Sequence, residues 1–272
     1  MTGLASRSTA TLRAGGSTIA RPRCERPGPR NPPGQGGPVT EPVRGLMMET
    51  AGVLYDATLW RRELVRLLAR LEVPAMYPAF FERWDREYLI DVERGFRQFE
   101  EAFQAFLLSA GLTWGQIDEV EAFARVQRNT CEENLRPLPA VGAALAALDK
   151  RGLKLVALCD ACQGAAAIEQ KIERLGLGGL FQKVVSSFDL GAVRPAAECY
   201  AAALAALDLP AEEVAFVGCD RRSLEGAAAY GLRTIAVHGE EQVSADARLE
   251  SFAEVVELVA EWSKPECVEA SS

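Results

Sequence analysis

The chain has 272 residues, 49% hydrophobic and 25% charged, which is enough to bury a core in one large domain or in a domain with an insert. Its formal net charge of −8 argues against a non-specific nucleic-acid binder, whose phosphate contacts need a basic surface. No run of eighteen apolar residues occurs, so neither a membrane span nor a membrane partner is expected.

Residues 1–44 carry seven arginines against Glu25 and Glu41, so this segment is +5 and the remainder −13. Its stretch RPRCERPGPRNPPGQGGPV is too poor in apolar side chains to fold, and a disordered basic extension is expected. From Gly45 the pattern changes. An apolar run, Leu46 to Met48, ends at Glu49 and is followed by Gly52, as in a strand and a turn. Amphipathic helical stripes then fill residues 60–136. They are Leu64, Leu67, Leu68 and Leu71; Phe81, Trp84 and Tyr88; Phe96, Phe99, Phe103 and Phe106; and Ile117, Val120 and Phe123. Their aromatic members are expected in a core.

Beyond Pro137 and Pro139, helices and short apolar strands alternate. The strands are LKLVALC, QKVVSSF, EVAFVGC and RTIAVH, and LESFAEVVELVAEW closes the pattern as a helix. Continuous apolar strands separated by helices predict a parallel, doubly wound α/β sheet. Residues 45–59 and 137–262 would form this core, residues 60–136 an all-helical insert, and residues 263–272 a flexible tail. Sites on such sheets lie at the carboxyl ends of the strands. Here those ends are Glu49, Cys159, Ser186–Ser187, Cys219 and His238.

Four stretches carry a resemblance to a known family: ETAGVLYD, LVALCDA, VVSSFDLGAVRPAAECY and VAFVGCDRRSLEGAAAYGLRTIAV. Together with the helical insert they resemble the haloacid dehalogenase superfamily of phosphatases and related hydrolases, over residues 45 to about 262. The resemblance implies a Rossmann-like core, a helical cap, an aspartate nucleophile and, in most branches, magnesium. The functional positions differ from that pattern. Glu49 stands at the nucleophile position, its carboxylate carried about 1.5 Å further out, and in-line attack depends on positioning. Ala51 stands at the acid/base position and cannot move a proton. Cys159, followed by Asp160, stands where a phosphate-holding Ser or Thr is expected, and a carboxylate there repels an anion. Arg194 replaces the lysine and still grips anions. Cys219 and Ser223 occupy the metal-ligand positions, with Asp220 one residue on as a displaced ligand. Thiolates suit magnesium badly. Relatives resembling phosphonatases carry Ala at the second position, and those resembling dehalogenases dispense with the metal; both keep the aspartate nucleophile.

The expectation is therefore a phosphatase-like protein with lost or weak hydrolysis and no cofactor, binding a small anion or a protein partner. The alternative is an active hydrolase of phosphate esters or of carbon–halogen or carbon–phosphorus bonds. In it Glu49 attacks, Arg194 stabilises the anion, and Glu49 and Asp220 hold magnesium. A third reading uses the cysteines. Seven of them, with no apolar export segment, suggest reduced thiols and a cytoplasmic setting. Cys159 and Cys162 form a C-x-x-C pair, and with Cys219 and the sole histidine, His238, they offer a soft zinc set. Arg61 and Arg62 open the insert, either holding an anion or facing solvent.

Overall fold

The computed structural model describes residues 41–73, 75–238 and 243–264. The basic stretch over residues 1–40 and the tail beyond Lys264, with Cys24 and Cys267, lie outside the described residues. The sheet is entirely parallel, six-stranded and ordered β3-β2-β1-β4-β5-β6. Its strands are β1 (Gly45–Glu49), β2 (Lys154–Cys159), β3 (Lys183–Ser186), β4 (Val214–Gly218), β5 (Arg233–Val237) and β6 (Ala247–Leu249).

The continuous apolar strand sequences follow from burial on both faces. Leu46 and Met48 of β1 pack with Ala157 of β2 and Val217 of β4 on one side. Met47 packs with Val156, Leu158 and Phe216 on the other. Two helical layers complete these faces. The first face is covered by α6 (Val141–Lys150), α7 (Ala165–Arg174) and α11 (Val255–Trp262), and the second by α9 (Ala197–Leu207) and α10 (Arg221–Tyr230). A single turn, α8 (Ser187–Leu190), follows β3. The architecture is a doubly wound, Rossmann-like α/β fold, as the alternation of apolar strands and helices predicted.

The insert between β1 and α6 is helical throughout. It contains α1 (Leu59–Arg70), α2 (Tyr77–Trp84), a π-helical turn over Asp85–Leu89, α3 (Ile90–Glu93), α4 (Phe99–Ser109) and α5 (Trp114–Glu133). It has its own core, built on Trp60, Leu64, Phe81, Trp84, Phe103 and Phe106. Thr113 opens α5 with a reciprocal cap on Gln116. The insert leaves and rejoins the sheet at one place, where Leu138 N donates to Leu54 O at 2.8 Å and Tyr55 bridges Pro137.

Four local expectations change. Phe96 is not on the aromatic stripe: α4 begins at Phe99, and Phe96 sits in the preceding turn at 71% exposure. The folded region begins before Gly45, because Val43 is 2% exposed and its N–H donates to Trp262 O. Arg61 is not a solvated helix residue, since a two-pronged pair with Asp85 (2.7 and 2.8 Å) draws it inward; Arg62 is exposed. The edge strand β6 is three residues long, too short to leave an alternating pattern.

Candidate functional site

The carboxyl ends of β1, β2 and β4 converge on Glu49, which is 2% exposed. Both of its carboxylate oxygens are engaged. Oε1 accepts from Arg194 Nη1, and Oε2 accepts from the backbone N–H of Cys219 at 3.0 Å and its thiol at 3.3 Å. The 10%-exposed Arg194 side chain is held from its other side by Asp160. Arg194 Nε donates to Asp160 Oδ2 at 3.1 Å, and its backbone N–H donates to Oδ1 at 3.3 Å. The result is a closed carboxylate–guanidinium–carboxylate chain. Burial disfavours the charge on Arg194, and Glu49 and Asp160 outweigh it. Gly218 makes the arrangement possible: an added Cβ would lie 3.0 Å from Glu49 Oε1 and 2.7 Å from the Phe216 ring.

The other sequence-predicted positions fall as follows. Ala51 is exposed in the turn that starts the insert, where Gly52 N donates to Tyr55 O and Leu54 N to Thr50 O, both at 2.8 Å. Cys159 is buried beneath this turn, hydrogen-bonded by Thr50, and burial pushes its thiol up to about 12. It offers nothing to an anion. Asp160 does not stand free to repel one, because its carboxylate is committed to Arg194. Asp220 is the N-cap of α10, its Oδ2 accepting from Ser223 N at 2.9 Å and Ser223 Oγ at 2.8 Å.

A magnesium ion requires several free hard oxygens, and these residues do not supply them. Both oxygens of Glu49 and one oxygen of Asp220 accept from internal donors, Cys219 presents a thiol, and the Ser223 hydroxyl is turned to Asp220. Among the described residues no group of three His, Cys, Asp or Glu side chains is placed to hold a metal. The zinc set is likewise dispersed. Cys159 is buried, Cys162 lines a cavity, Cys219 donates to Glu49, and His238 is exposed past β5. Burial raises Cys162 to about 12 as well, the direction opposite to that of an activated thiol.

Between the insert and the sheet edge lies a cavity of about 430 Å³. Ala51, Trp60, Phe99, Arg128, Asp160 and Cys162 contribute to its wall; Glu49 and Arg194 do not. Insert and core are joined beside it by Ser187. Its Oγ donates to Glu93 O at 2.7 Å and accepts from Ala161 N at 3.0 Å. Sequence reasoning missed Glu93, Arg128 and Lys171, all of which line this cavity. The available signal was the spacing of Arg128, Cys131, Glu132 and Leu135, which places one mixed face of α5 and its end on the cavity.

A parallel sheet with its site at the carboxyl edge and a helical insert after β1 defines a capped, Rossmann-like α/β protein. The family model of haloacid dehalogenase-like hydrolases matches residues 51–231, and the chain belongs to that family. No curated protein matches it. Its fold is similar to that of the putative HAD-hydrolase YfnB from Bacillus subtilis bound to magnesium, with 14% identity over 81% of this chain and 100% of that one, TM-score 0.61. It is also similar to the L-2-haloacid dehalogenase RSc1362, with 22% identity over 80% and 99% of the two chains, TM-score 0.61. The putative beta-phosphoglucomutase from Thermotoga maritima aligns with 16% identity over 80% and 99%, TM-score 0.60. At these identities the likeness is one of fold. Among the described residues no helix is long and apolar enough to cross a membrane.

Proposed function

We propose that this chain is a haloacid dehalogenase-like protein that binds a small anionic ligand in the cavity between insert and sheet edge without efficient hydrolysis. The observation that carries this reading is the engagement of Glu49. Its two oxygens accept from Arg194 and Cys219, it is buried, and it stands outside the cavity wall. A nucleophile needs a free lone pair about 3 to 3.5 Å from the reacting atom and in line with it. Ala51, which lines the cavity two residues after Glu49, has no proton to give or take. Asp160 and Arg194 neutralise each other, so the corner has a structural role in tying β1, β2 and β4 together at their ends.

The test is turnover of an aryl phosphate and of a 2-haloacid by the full chain, with and without magnesium. The expected result is no turnover above background. Hydrolysis that disappears in Glu49→Gln would overturn the proposal. The triple change Glu49→Asp, Ala51→Asp and Cys219→Asp tests the cause: a folded triple variant that gains magnesium-dependent activity identifies these positions as the lost chemistry.

A further inference from the structure

The insert is joined to the core in two different ways. On one side the chain itself crosses between them, at the Leu138–Leu54 hydrogen bond and the Tyr55–Pro137 bridge. Beside this crossing, Glu132 at the end of α5 pairs with Lys171 of α7 at 2.9 Å and with Arg174 at 3.4 Å, and Lys171 Nζ lies 5.8 Å from the centroid of the Tyr55 ring. On the other side the join is noncovalent, and α3 rests there against α8. The end of α3 leaves the Glu93 carbonyl without a helical donor. Gly95 turns the chain at φ +70°, and the N–H of Arg97, which would serve Glu93 in a continued helix, goes to Asp91 O at 3.2 Å. The Glu93 carbonyl takes the Ser187 hydroxyl at 2.7 Å instead. Ser187 is 1% exposed, and its Oγ also accepts at 3.0 Å from the N–H of Ala161, a residue of the cavity wall. The seam is closely packed around this bond. A Cβ added to Gly95 would lie 3.1 Å from Phe188 O, and one added to Gly191 would lie 3.6 Å from the Phe96 ring.

We infer that the Ser187 hydroxyl is a clasp that holds the insert shut over the cavity, with the chain crossing at Tyr55 and Pro137 as the pivot. The crossing cannot part, so an insert that lifts from the sheet edge turns about it and separates at the α3–α8 seam. The bond from Ser187 to Glu93 O spans that seam. One hydroxyl uses both its donor and its acceptor capacity here, on Glu93 O of the insert and Ala161 N of the core. Its removal leaves both groups short of a partner, and lifting of the insert lets water supply one. The Glu132 pairs are a weaker fastening. Glu132 is 39% and Arg174 59% exposed, so solvent and salt screen them, and they sit beside the pivot, where a rotation separates groups least. Cys162 reports the state of the clasp, because it lines the cavity and packs against the core of the insert. Cys159 lies beneath it in the core of the sheet. The clasp governs access to the cavity whatever the cavity binds.

Iodoacetamide labelling of the full chain, read at each cysteine by peptide mass spectrometry, tests the clasp. Ser187→Ala is expected to label Cys162 about tenfold or more faster than the parent chain, since loss of such a hydrogen bond shifts a local opening by about that factor. Cys159 and Cys199, buried in the two faces of the sheet, are expected to keep their parent rates. Gly95→Ala, which drives the same seam apart from the insert side, is expected to accelerate Cys162 as well. Raising the salt from about 0.05 M to about 1 M screens the Glu132 pairs and is expected to leave the parent rate at Cys162 within about twofold. An unchanged Cys162 rate in folded Ser187→Ala overturns the clasp. So does acceleration of Cys159, Cys162 and Cys199 in parallel, which marks loosening of the whole fold, and so does opening of Cys162 by salt alone. If Ser187→Ala does not fold, Gly95→Ala and the salt series decide the matter by the same readings.

Discussion

Cys219 donates its backbone N–H to Glu49 Oε2 at 3.0 Å, which makes the loop after β4 a donor to the carboxylate that ends β1. Arg194 then closes the other oxygen and carries the chain on to Asp160 beyond β2. Three strand ends are tied through the Glu49 carboxylate and one guanidinium, and the tie is buried. A buried pair is strongly destabilising to break because the survivor is left without compensation. Arg194→Met strands Glu49 and Asp160 together and is expected to cost about 3–5 kcal/mol in urea unfolding. Glu49→Gln leaves the Arg194–Asp160 half intact and is expected to cost less. The double variant is expected to be more stable than the sum of the two losses implies, which a double-mutant cycle reads directly.

The same donors decide the response to metal. With both oxygens of Glu49 and one of Asp220 committed and a thiol at Cys219, magnesium finds too few free hard oxygens at the sheet edge. Adding it at about 10 mM is expected to leave Tm within about 1 °C, because a ligand stabilises only a fold that binds it. Restoring aspartate at both Glu49 and Cys219 is expected to produce a magnesium-dependent rise. A rise in the unaltered chain would contradict the assignment of these oxygens to internal donors.

The scaffold was legible because strand order and helical insertion are written in long patterns. Leu46–Met48, LVALC and VAFVGC are continuous apolar runs, as expected when both faces are buried, and their alternation with helices dictates parallel pairing. The positions of Glu49, Cys159 and Cys219 followed from strand ends, and that of Arg194 from the family resemblance of VVSSFDLGAVRPAAECY. What those side chains do there was not legible, because it depends on partners far apart in sequence. Asp160 was expected to repel an anion, yet its position 34 residues from Arg194 places it under that guanidinium. Arg128 and Glu93 were silent for a related reason. A charged residue on a helix reads as solvated until the opposite wall, here Cys162 and Phe188 of the core, is known to face it.

Gly52 is the turn residue that the chemistry of neighbouring Cys219 constrains. Its φ is +80°, and an added Cβ would lie 2.5 Å from Cys219 Sγ. Gly52→Ala therefore meets both a disfavoured backbone region and a thiol that is itself bonded to Glu49. A loss of about 2–4 kcal/mol is expected, combining the backbone cost with overpacking. Gly52→Ala combined with Cys219→Ala relieves only the contact and is expected to recover part of the loss. Full recovery would mean that backbone strain contributes nothing.

The thiols supply a prediction independent of any ligand. Burial raises Cys159 and Cys162 to about 12, so the thiolate fraction at pH 8 is on the order of one in ten thousand. Iodoacetamide labelling, mapped by peptide mass spectrometry, is expected to be slower at both residues in the folded chain than in urea by about a hundredfold or more. Rapid labelling of Cys162 alone would mean that the cavity opens and activates it.

Glu93 gives the fold a pH-dependent contribution to stability. Its carboxyl is raised from the ordinary carboxylate range to about 8, chiefly by burial. The folded chain therefore binds this proton more tightly than the unfolded chain does. The stabilising contribution is complete below the unfolded pKa, near 4.5, and is lost as pH rises through about 8. Glu93→Gln removes the ionisation and keeps a similar shape, so its Tm is expected to exceed that of the parent chain at pH 9 by about 2–6 °C. The difference is expected to shrink towards pH 5, where the parent carboxyl is protonated in the fold. A constant difference across that range would assign the effect to packing at the end of α3 rather than to the proton.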